Sequence, residues 1–290
     1  MDYLTSRKFS FLSRALSSDS FGVVSFKGTE GLSRCYDFEV MLISDDREME
    51  LGKVIRYPAK LSFHRQEGDD VEFHGILLQF EQLQEMKGGC VLYRAHLAPR
   101  LSWLSFTHHH QVFLDKTVPE MIEACLKDGG LTSLDFDLRL QGSYDPLEYV
   151  CQYGESHLAF ISRWCEREGI YYLFEQTEGG EKVVFTDTRI AHAPCPQGST
   201  VIYSPPSGLE ALHEKEVVRS FTCRYSLTPA HILVKDYDYM KPSLDITGSA
   251  DVDKQGRGEA YYYGDHIRTP EEGERLAKIR AESLLCRREV

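Results

Sequence analysis

The chain has 290 residues, and with roughly 150 residues to a typical domain it should hold two domains or three small ones. Its 33 basic and 45 acidic side chains leave a formal charge of −12, which argues against a nucleic-acid ligand, whose phosphates require a basic surplus. A core can form at this size without a metal or disulfide staple, and apolar runs such as Ile76-Leu77-Leu78 and Val183-Val184-Phe185 are far too short to span a bilayer.

The first hundred residues read as β. Phe21 to Phe26 alternates before the turn Lys27-Gly28. Tyr36, Phe38, Val40 and Leu42 share one face, and Leu61/Phe63, Val71/Phe73 and Val91/Tyr93/Ala95/Leu97 repeat the period. Alternation in short segments, separated by Gly68-Asp69-Asp70 and Lys87-Gly88-Gly89, predicts antiparallel strands with one wet face, in a small barrel or sandwich.

The period then changes. Thr117 is a candidate N-cap with Pro119 in the first turn, Val118, Met121, Ile122, Cys125 and Leu126 form a helical stripe, and Gly129-Gly130 closes it. A short strand over 136–140 follows. Asp145-Pro146 predicts a second helix, interrupted at Gly154, by the same cap-then-proline logic. A third helix is predicted from about Ser156 to Glu168, with Leu158, Ile161, Trp164 and Cys165 inward and Gly169 at its end. Residues 170–175 and 181–187 form a hairpin around Glu178-Gly179-Gly180. The segment from Ala191 to Gly208, rich in Pro, Ser and Gly, reads as a connection. Strands are then predicted from Val217 to Tyr225 and from His231 to Tyr239, a polar loop over 241–260, and a helix from Thr269-Pro270-Glu271-Glu272 to about Arg288, its end charges complementing the macrodipole.

Met1 to Ser20 holds Arg7, Lys8, Arg14 and Asp19 among many serines, so no signal peptide is expected. The eight cysteines (Cys35, Cys90, Cys125, Cys151, Cys165, Cys195, Cys223, Cys286) are scattered without a C-x-x-C pair. Reduced thiols and a cytoplasmic compartment follow as expectations.

Candidate chemistry is thin. His108-His109-His110 are adjacent, and neighbours on an extended backbone face opposite ways; with no H-E-x-x-H and no acidic or thiol ligand at helical spacing, a polar exposed strand or turn is the plainer reading, and no metal is expected. There is no G-x-S-x-G elbow, and Cys165 lies two helical turns from His157 in an apolar setting that suits a packing thiol. Glu166/Glu168 and Glu271/Glu272 read as solvated faces rather than a convergent acid pair. Gly28-Thr29-Glu30-Gly31 and Gly256-Arg257-Gly258 lack the lysine of a phosphate loop. No catalytic residue and no cofactor are predicted. The 16 tyrosines and 15 phenylalanines, clustered at Tyr171-Tyr172, Tyr237/Tyr239 and Tyr261-Tyr262-Tyr263, fit either subunit contact or plain strand propensity.

Two blocks carry a resemblance. Pro99-Arg100-Leu101-Ser102-Trp103-Leu104 with Asp115-Lys116-Thr117-Val118-Pro119-Glu120-Met121-Ile122 resembles the VgrG family, spike components of type VI secretion systems related to phage late control gene D proteins. More specific are Tyr149-Val150-Cys151-Gln152-Tyr153-Gly154-Glu155-Ser156, then Phe160-Ile161-Ser162-Arg163, then Glu168-Gly169-Ile170-Tyr171-Tyr172, which resemble that family's signature. Phe21 to Phe38, Asp236-Tyr237-Asp238-Tyr239 and Glu272-Gly273-Glu274-Arg275-Leu276-Ala277 support it in order. His157-Leu158 and Gly154 depart from the more polar residues usual around the Glu-Ser pair.

The resemblance implies a mainly β, α+β fold like a contractile-phage baseplate hub: a first antiparallel β-barrel tube domain over 1–105, an α+β domain over 106–200, and a second β-barrel tube domain over 201–290. Three such chains would close a ring that docks on a hexameric Hcp-like tube beside other baseplate components, two similar barrels per chain matching a six-fold partner. Family members continue into an OB-like domain and a β-helical needle, which these 290 residues do not contain. Any contact with a target membrane would run through that needle, and the trimer of this portion is expected to be weak. The assembly would form in the cytoplasm and leave the cell on firing. Thr117, Pro119, Gln152, Tyr153, Glu155, Ser156, Phe160, Arg163, Glu168, Gly169, Tyr171 and Tyr172 are then structural signature residues. The alternatives are a baseplate hub of a contractile prophage tail, a cysteine hydrolase, and a carbohydrate-binding module with tyrosine platforms.

Overall fold

The computed structural model describes residues 8–17, 20–55, 57–65, 68–192, 200–205 and 216–288. The chain divides into two compact units, Met1–Glu166 with Ile170–His192, and Arg167–Gly169 with Ala193–Val290.

In the first unit the alternating segments become β1 (Phe9–Ser13), β2 (Gly22–Gly31), β3 (Arg34–Ser44), β4 (Ala59–Phe63), β5 (Val71–Glu85) and β6 (Val91–Ala98), with a one-turn helix α1 (Leu51–Val54) between β3 and β4. They form a six-stranded sheet ordered β1-β4-β5-β6-β3-β2, antiparallel throughout. The predicted inward faces are inward: Tyr36, Phe38, Val40 and Leu42 of β3 and Val91, Tyr93, Ala95 and Leu97 of β6 are buried in one cluster. Register shifts in β5 at Leu77/Gln79 and Gln82/Gln84 add the local twist that curls a sheet. Curling brings the two outer strands together, the Phe9 ring of β1 lying 5.0 Å from Phe26 of β2. A Cβ on Gly75 would sit 2.2 Å from the Ala98 carbonyl oxygen, so only glycine lets β5 and β6 approach there.

The rest of this unit runs through a 3-10 turn (Arg100–Ser105), β7 (His108–Lys116), α2 (Val118–Asp128), β8 (Phe136–Arg139), β9 (Leu147–Ser156), α3 (His157–Glu168), β10 (Tyr171–Thr177) and β11 (Gly180–Thr186). β11 is the middle strand of a three-stranded sheet, antiparallel to β10 and parallel to β8. β7 and β9 make a separate antiparallel ribbon. A second apolar cluster gathers Met121, Ile122, Cys125 and Leu126 of α2, Phe160, Ile161 and Cys165 of α3, and Val183 and Phe185 of β11.

One prediction fails here. The helix expected after Asp145-Pro146 is strand β9. The cap-and-proline signal loses to the run Tyr149-Val150-Cys151-Gln152-Tyr153, rich in residues that suit a pleated half-buried surface and paired along its length with β7. Gly154 breaks no helix. It is the extra residue of a β-bulge opposite His109/His110, at φ +61, a left-handed conformation that favours glycine.

The second unit contains β12 (His231–Asp236), β13 (Ile246–Asp251), β14 (Glu259–Tyr263) and the helix α4 (Pro270–Arg288). The sheet order is β13-β12-β14, with β12 antiparallel to β13 and parallel to β14. Ile232, Val234, Ile246, Leu276, Ala277 and Ala281 are buried together. Helix and sheet approach through two glycines, a Cβ on Gly248 falling 2.0 Å from the Gly273 carbonyl carbon. Here too the sequence reading needs correction. The stretch over 241–260 read as a loop contains β13 and the start of β14, its short polar strands masked by Ser, Gly and Asp. The first expected strand, from Val217 to Tyr225, does not form a regular strand; Val218 makes an isolated bridge with Tyr203. The second stops at Asp236, before Tyr237 and Tyr239. Much of the Pro/Ser/Gly-rich connection, including Cys195, lies outside the described residues. Among the described residues no helix is long and apolar enough to cross a membrane.

Candidate functional site

The second signature block folds into a corner where the ribbon meets α2 and α3. Ser156 ends β9 and caps α3, its hydroxyl accepting from Ala159 N at 3.1 Å. Thr117 caps α2 with a full capping box: its hydroxyl accepts from Glu120 N and the Glu120 carboxylate accepts from Thr117 N, with Pro119 in the first turn. These caps, set by Thr-Val-Pro-Glu and Glu-Ser-His, fix where each helix starts relative to the ribbon.

The ribbon's inner face carries His109, Gln111 and Phe113 from β7 and Val150 and Gln152 from β9. Phe113 stacks on Phe160 of α3, centroids 5.4 Å apart. Gln152 is fully buried, and its amide is saturated. Nε2 donates to the Glu155 carbonyl at 2.9 Å, and Oε1 accepts from Gln111 Nε2 at 2.7 Å. His157, also fully buried, places Nδ1 at 3.1 Å from that Nε2 and 3.2 Å from that Oε1. Its Nε2 points at Asp128, the last residue of α2, 2.8 Å from Oδ2. His109 Nε2 reaches the same oxygen at 3.4 Å, and the two imidazoles stack with an interplanar angle of 2°. The ligand atoms of His109, Asp128 and His157 all lie within 4.8 Å of one another.

Beside this cluster Arg163 grips Glu155, with Nε at 3.0 Å from both carboxylate oxygens and a terminal nitrogen at 2.7 Å from Oε1. Its guanidinium also donates to the Cys151 carbonyl and lies 4.9 Å from the Phe160 ring centroid. Glu155 and Arg163 therefore tie the strand end to the helix that follows it.

A family model described as phage tail baseplate hub (GPD) matches residues 29–290. The chain belongs to that family. It is 29% identical over 91% of its length to the type VI secretion system spike protein VgrG1b of Pseudomonas aeruginosa, covering 35% of that protein. It thus spans about a third of the length of the curated relatives it matches. Among solved structures it is similar to an E. coli protein, c3393, described as a type VI secretion component resembling the T4 tail proteins gp27 and gp5, with TM-score 0.62 and 24% identity over 75% of this chain and 56% of that one. A 43 kDa prophage MuSo2 tail protein of Shewanella oneidensis gives TM-score 0.62 at 12% identity, over 98% of this chain and 80% of that one.

The remaining signature residues sit at helix ends, in the core and on the surface. Gly169, at φ +71, ends α3, and Ile170 N returns to the Cys165 carbonyl at 2.9 Å, a left-handed helix stop. Glu168, expected from the sequence on a solvated face, is instead buried, its side chain 4% exposed, because it accepts from Arg167 and from Arg275 of α4 at 2.6 Å. Tyr172 is a core ring beside Phe185, while Tyr171 donates to the Thr188 carbonyl at 2.9 Å. Tyr153 points outward, its ring edge-on to His110 at 4.9 Å.

Burial pushes Cys125 and Cys165 up to about 12, and Cys35 and Cys90 are raised as well, away from thiolate chemistry. Asp128 and Gln111 were invisible as site residues in the sequence. They reach His157 from distant positions, and no local spacing encodes that meeting. The adjacency of the three histidines concealed the pattern, because only His109 turns inward.

Proposed function

We propose that this chain is the hub portion of a type VI secretion spike, forming a three-chain ring that seats on a hexameric Hcp-like tube. The observation that carries the reading is the family match over residues 29–290 together with the similarity to a curated type VI spike protein across most of the chain. The division into tube domain 1–105, α+β domain 106–200 and tube domain 201–290 belongs to the same proposal, and three separate apolar clusters support it. So does the outer face of the ribbon, where Val112, Leu114, Tyr149 and Tyr153 are 47–79% exposed and provide apolar surface of the kind subunits bury. In this reading the needle of the full spike reaches the target membrane and contributes much of the intertwined contact, so the ring of this portion alone is weak. It assembles in the cytoplasm beside baseplate components and leaves the cell when the tube fires.

The test is electron microscopy of the chain mixed with its tube-protein hexamers. Rings of three chains capping tube ends support the proposal, and chains that never decorate tube ends overturn it. Light scattering across a dilution series checks the weak association, which a trimer stable at nanomolar concentration would contradict. A prophage-tail hub is the second reading, favoured by the fold shared with the Shewanella tail protein; capping of phage tail tubes but not type VI tubes would select it.

A further inference from the structure

We propose that His109, Asp128 and His157 form a binding site for a divalent transition-metal cation of the zinc class, clamping the ribbon to α2 and α3. The donor set is two imidazole nitrogens and one carboxylate oxygen, a combination suited to a borderline cation and to neither calcium nor magnesium. In a tetrahedral zinc site with bonds near 2.0–2.1 Å, neighbouring ligand atoms stand about 3.3 Å apart. The separations here, 2.8 Å from His157 Nε2 to Asp128 Oδ2 and 3.4 Å from His109 Nε2 to the same oxygen, bracket that value. An imidazole binds a cation in its own plane, and the two rings lie stacked and parallel, so uptake requires the half-exposed His109 ring to turn toward an ion seated on His157 and Asp128, with all three donor atoms already within 4.8 Å of one another. Asp128 and His109 are partly open to water, which supplies a fourth ligand without disturbing the core. Asp128 also ends α2, where the helix dipole places partial negative charge.

The buried side of the cluster fits this role. A ligating histidine needs its far nitrogen held, usually by an oxygen acceptor. The Gln152 amide lies within reach of His157 Nδ1 through both its atoms. Without a cation, Nδ1 accepts from Gln152 Nε2 and Nε2–H donates to Asp128. With a cation on Nε2, the proton sits on Nδ1 and is donated to Gln152 Oε1. The Gln152 amide offers Nδ1 both a donor and an acceptor, so no buried group loses its partner on switching between the two arrangements.

Zinc titration of the full chain by calorimetry tests the site, with cobalt(II) as the spectroscopic probe. The unmodified chain should take up one zinc, and cobalt should show d–d bands without thiolate charge transfer. His109→Ala is the main variant because its ring is half in solvent; Asp128→Asn is the second. Each should weaken zinc binding at least about 100-fold, since even supporting partners of a ligand are worth 10–100-fold, and His109→Ala should abolish the rise in Tm that zinc gives the parent. A His108→Ala/His110→Ala double variant should bind as the parent does, and millimolar magnesium should not displace the zinc. Binding that survives His109→Ala, disappears in the His108/His110 variant, shows a thiolate band or yields to magnesium would overturn the proposal, as would absence of zinc uptake by the parent at micromolar concentration.

Discussion

The two cores of the larger unit follow different rules. The six-stranded sheet is keyed mainly by shape: its cluster runs from Phe11 to Leu97, the hydroxyls of its buried Tyr36 and Tyr93 each donate to a backbone carbonyl, and the other buried polar side chains beneath it are serines such as Ser13, Ser44 and Ser62. The α+β core carries Gln152, His157 and Glu181 buried among its apolar residues, each held by named partners. A core keyed by apolar period tolerates exchange of one hydrophobe for another at constant volume. One keyed by polar contacts leaves a desolvated group without a partner when a single atom changes. The first holds the curled sheet together, and the second decides where helices and ribbon sit.

Two substitutions probe the contrast most strongly. Leu42→Ala, at a fully buried position of β3, should cost about 2–5 kcal/mol in urea unfolding, whereas Leu42→Met should cost under about 1.5 kcal/mol. In the α+β core Glu181→Gln changes shape very little. Glu181 accepts from Arg100 N at 2.8 Å and from Arg100 Nε at 3.0 Å, and its side chain is 4% exposed. Removing its charge should cost about 3 kcal/mol. If Glu181→Gln proves as harmless as Leu42→Met, the distinction between the two cores fails.

Gln152→Leu sharpens the comparison at one site. It keeps the volume and apolar contacts but strands the Gln111 amide, the Glu155 carbonyl and His157 Nδ1. The expected cost is about 2 kcal/mol, read by chemical denaturation. Thr117→Ala should cost about 1 kcal/mol through loss of the capping box, seen as a lower urea midpoint with an unchanged slope.

The same contrast explains what the sequence disclosed. Period-two alternation placed β3 and β6, and Thr117 and Pro119 placed α2, because burial and capping are local signals. β9 was misread because Asp145-Pro146 just before it imitates a helix start, while the ladder that overrules it is formed with β7, some forty residues earlier in the chain. β13 was missed for a similar reason: Gly248, Ser249 and Asp251 carry little strand propensity, and pairing with β12 supplies the structure. The signature residues were found by resemblance, but their work was not legible. That Gln152 saturates an amide network, or that His109, Asp128 and His157 converge, depends on contacts between elements far apart in the chain.

The smallest expected effect is a pH dependence at the edge of the α+β core. Partial burial pushes the Asp187 carboxyl up, but Gln141 N, Gly142 N and the Tyr144 hydroxyl all donate to it and together hold it below the ordinary aspartate value. A carboxyl depressed in the folded state binds its proton less readily there than in the unfolded chain, whose aspartates titrate near about 3.9. The stability it contributes is therefore fully present above that value and is lost as pH falls through the folded-state value. Asp187→Asn should lower Tm at pH 7, and the gap between variant and parent should narrow below about pH 4. A gap that stays constant through the acid range would mean that Asp187 acts through its shape, which would place this loop with the sheet core rather than with the polar-keyed one.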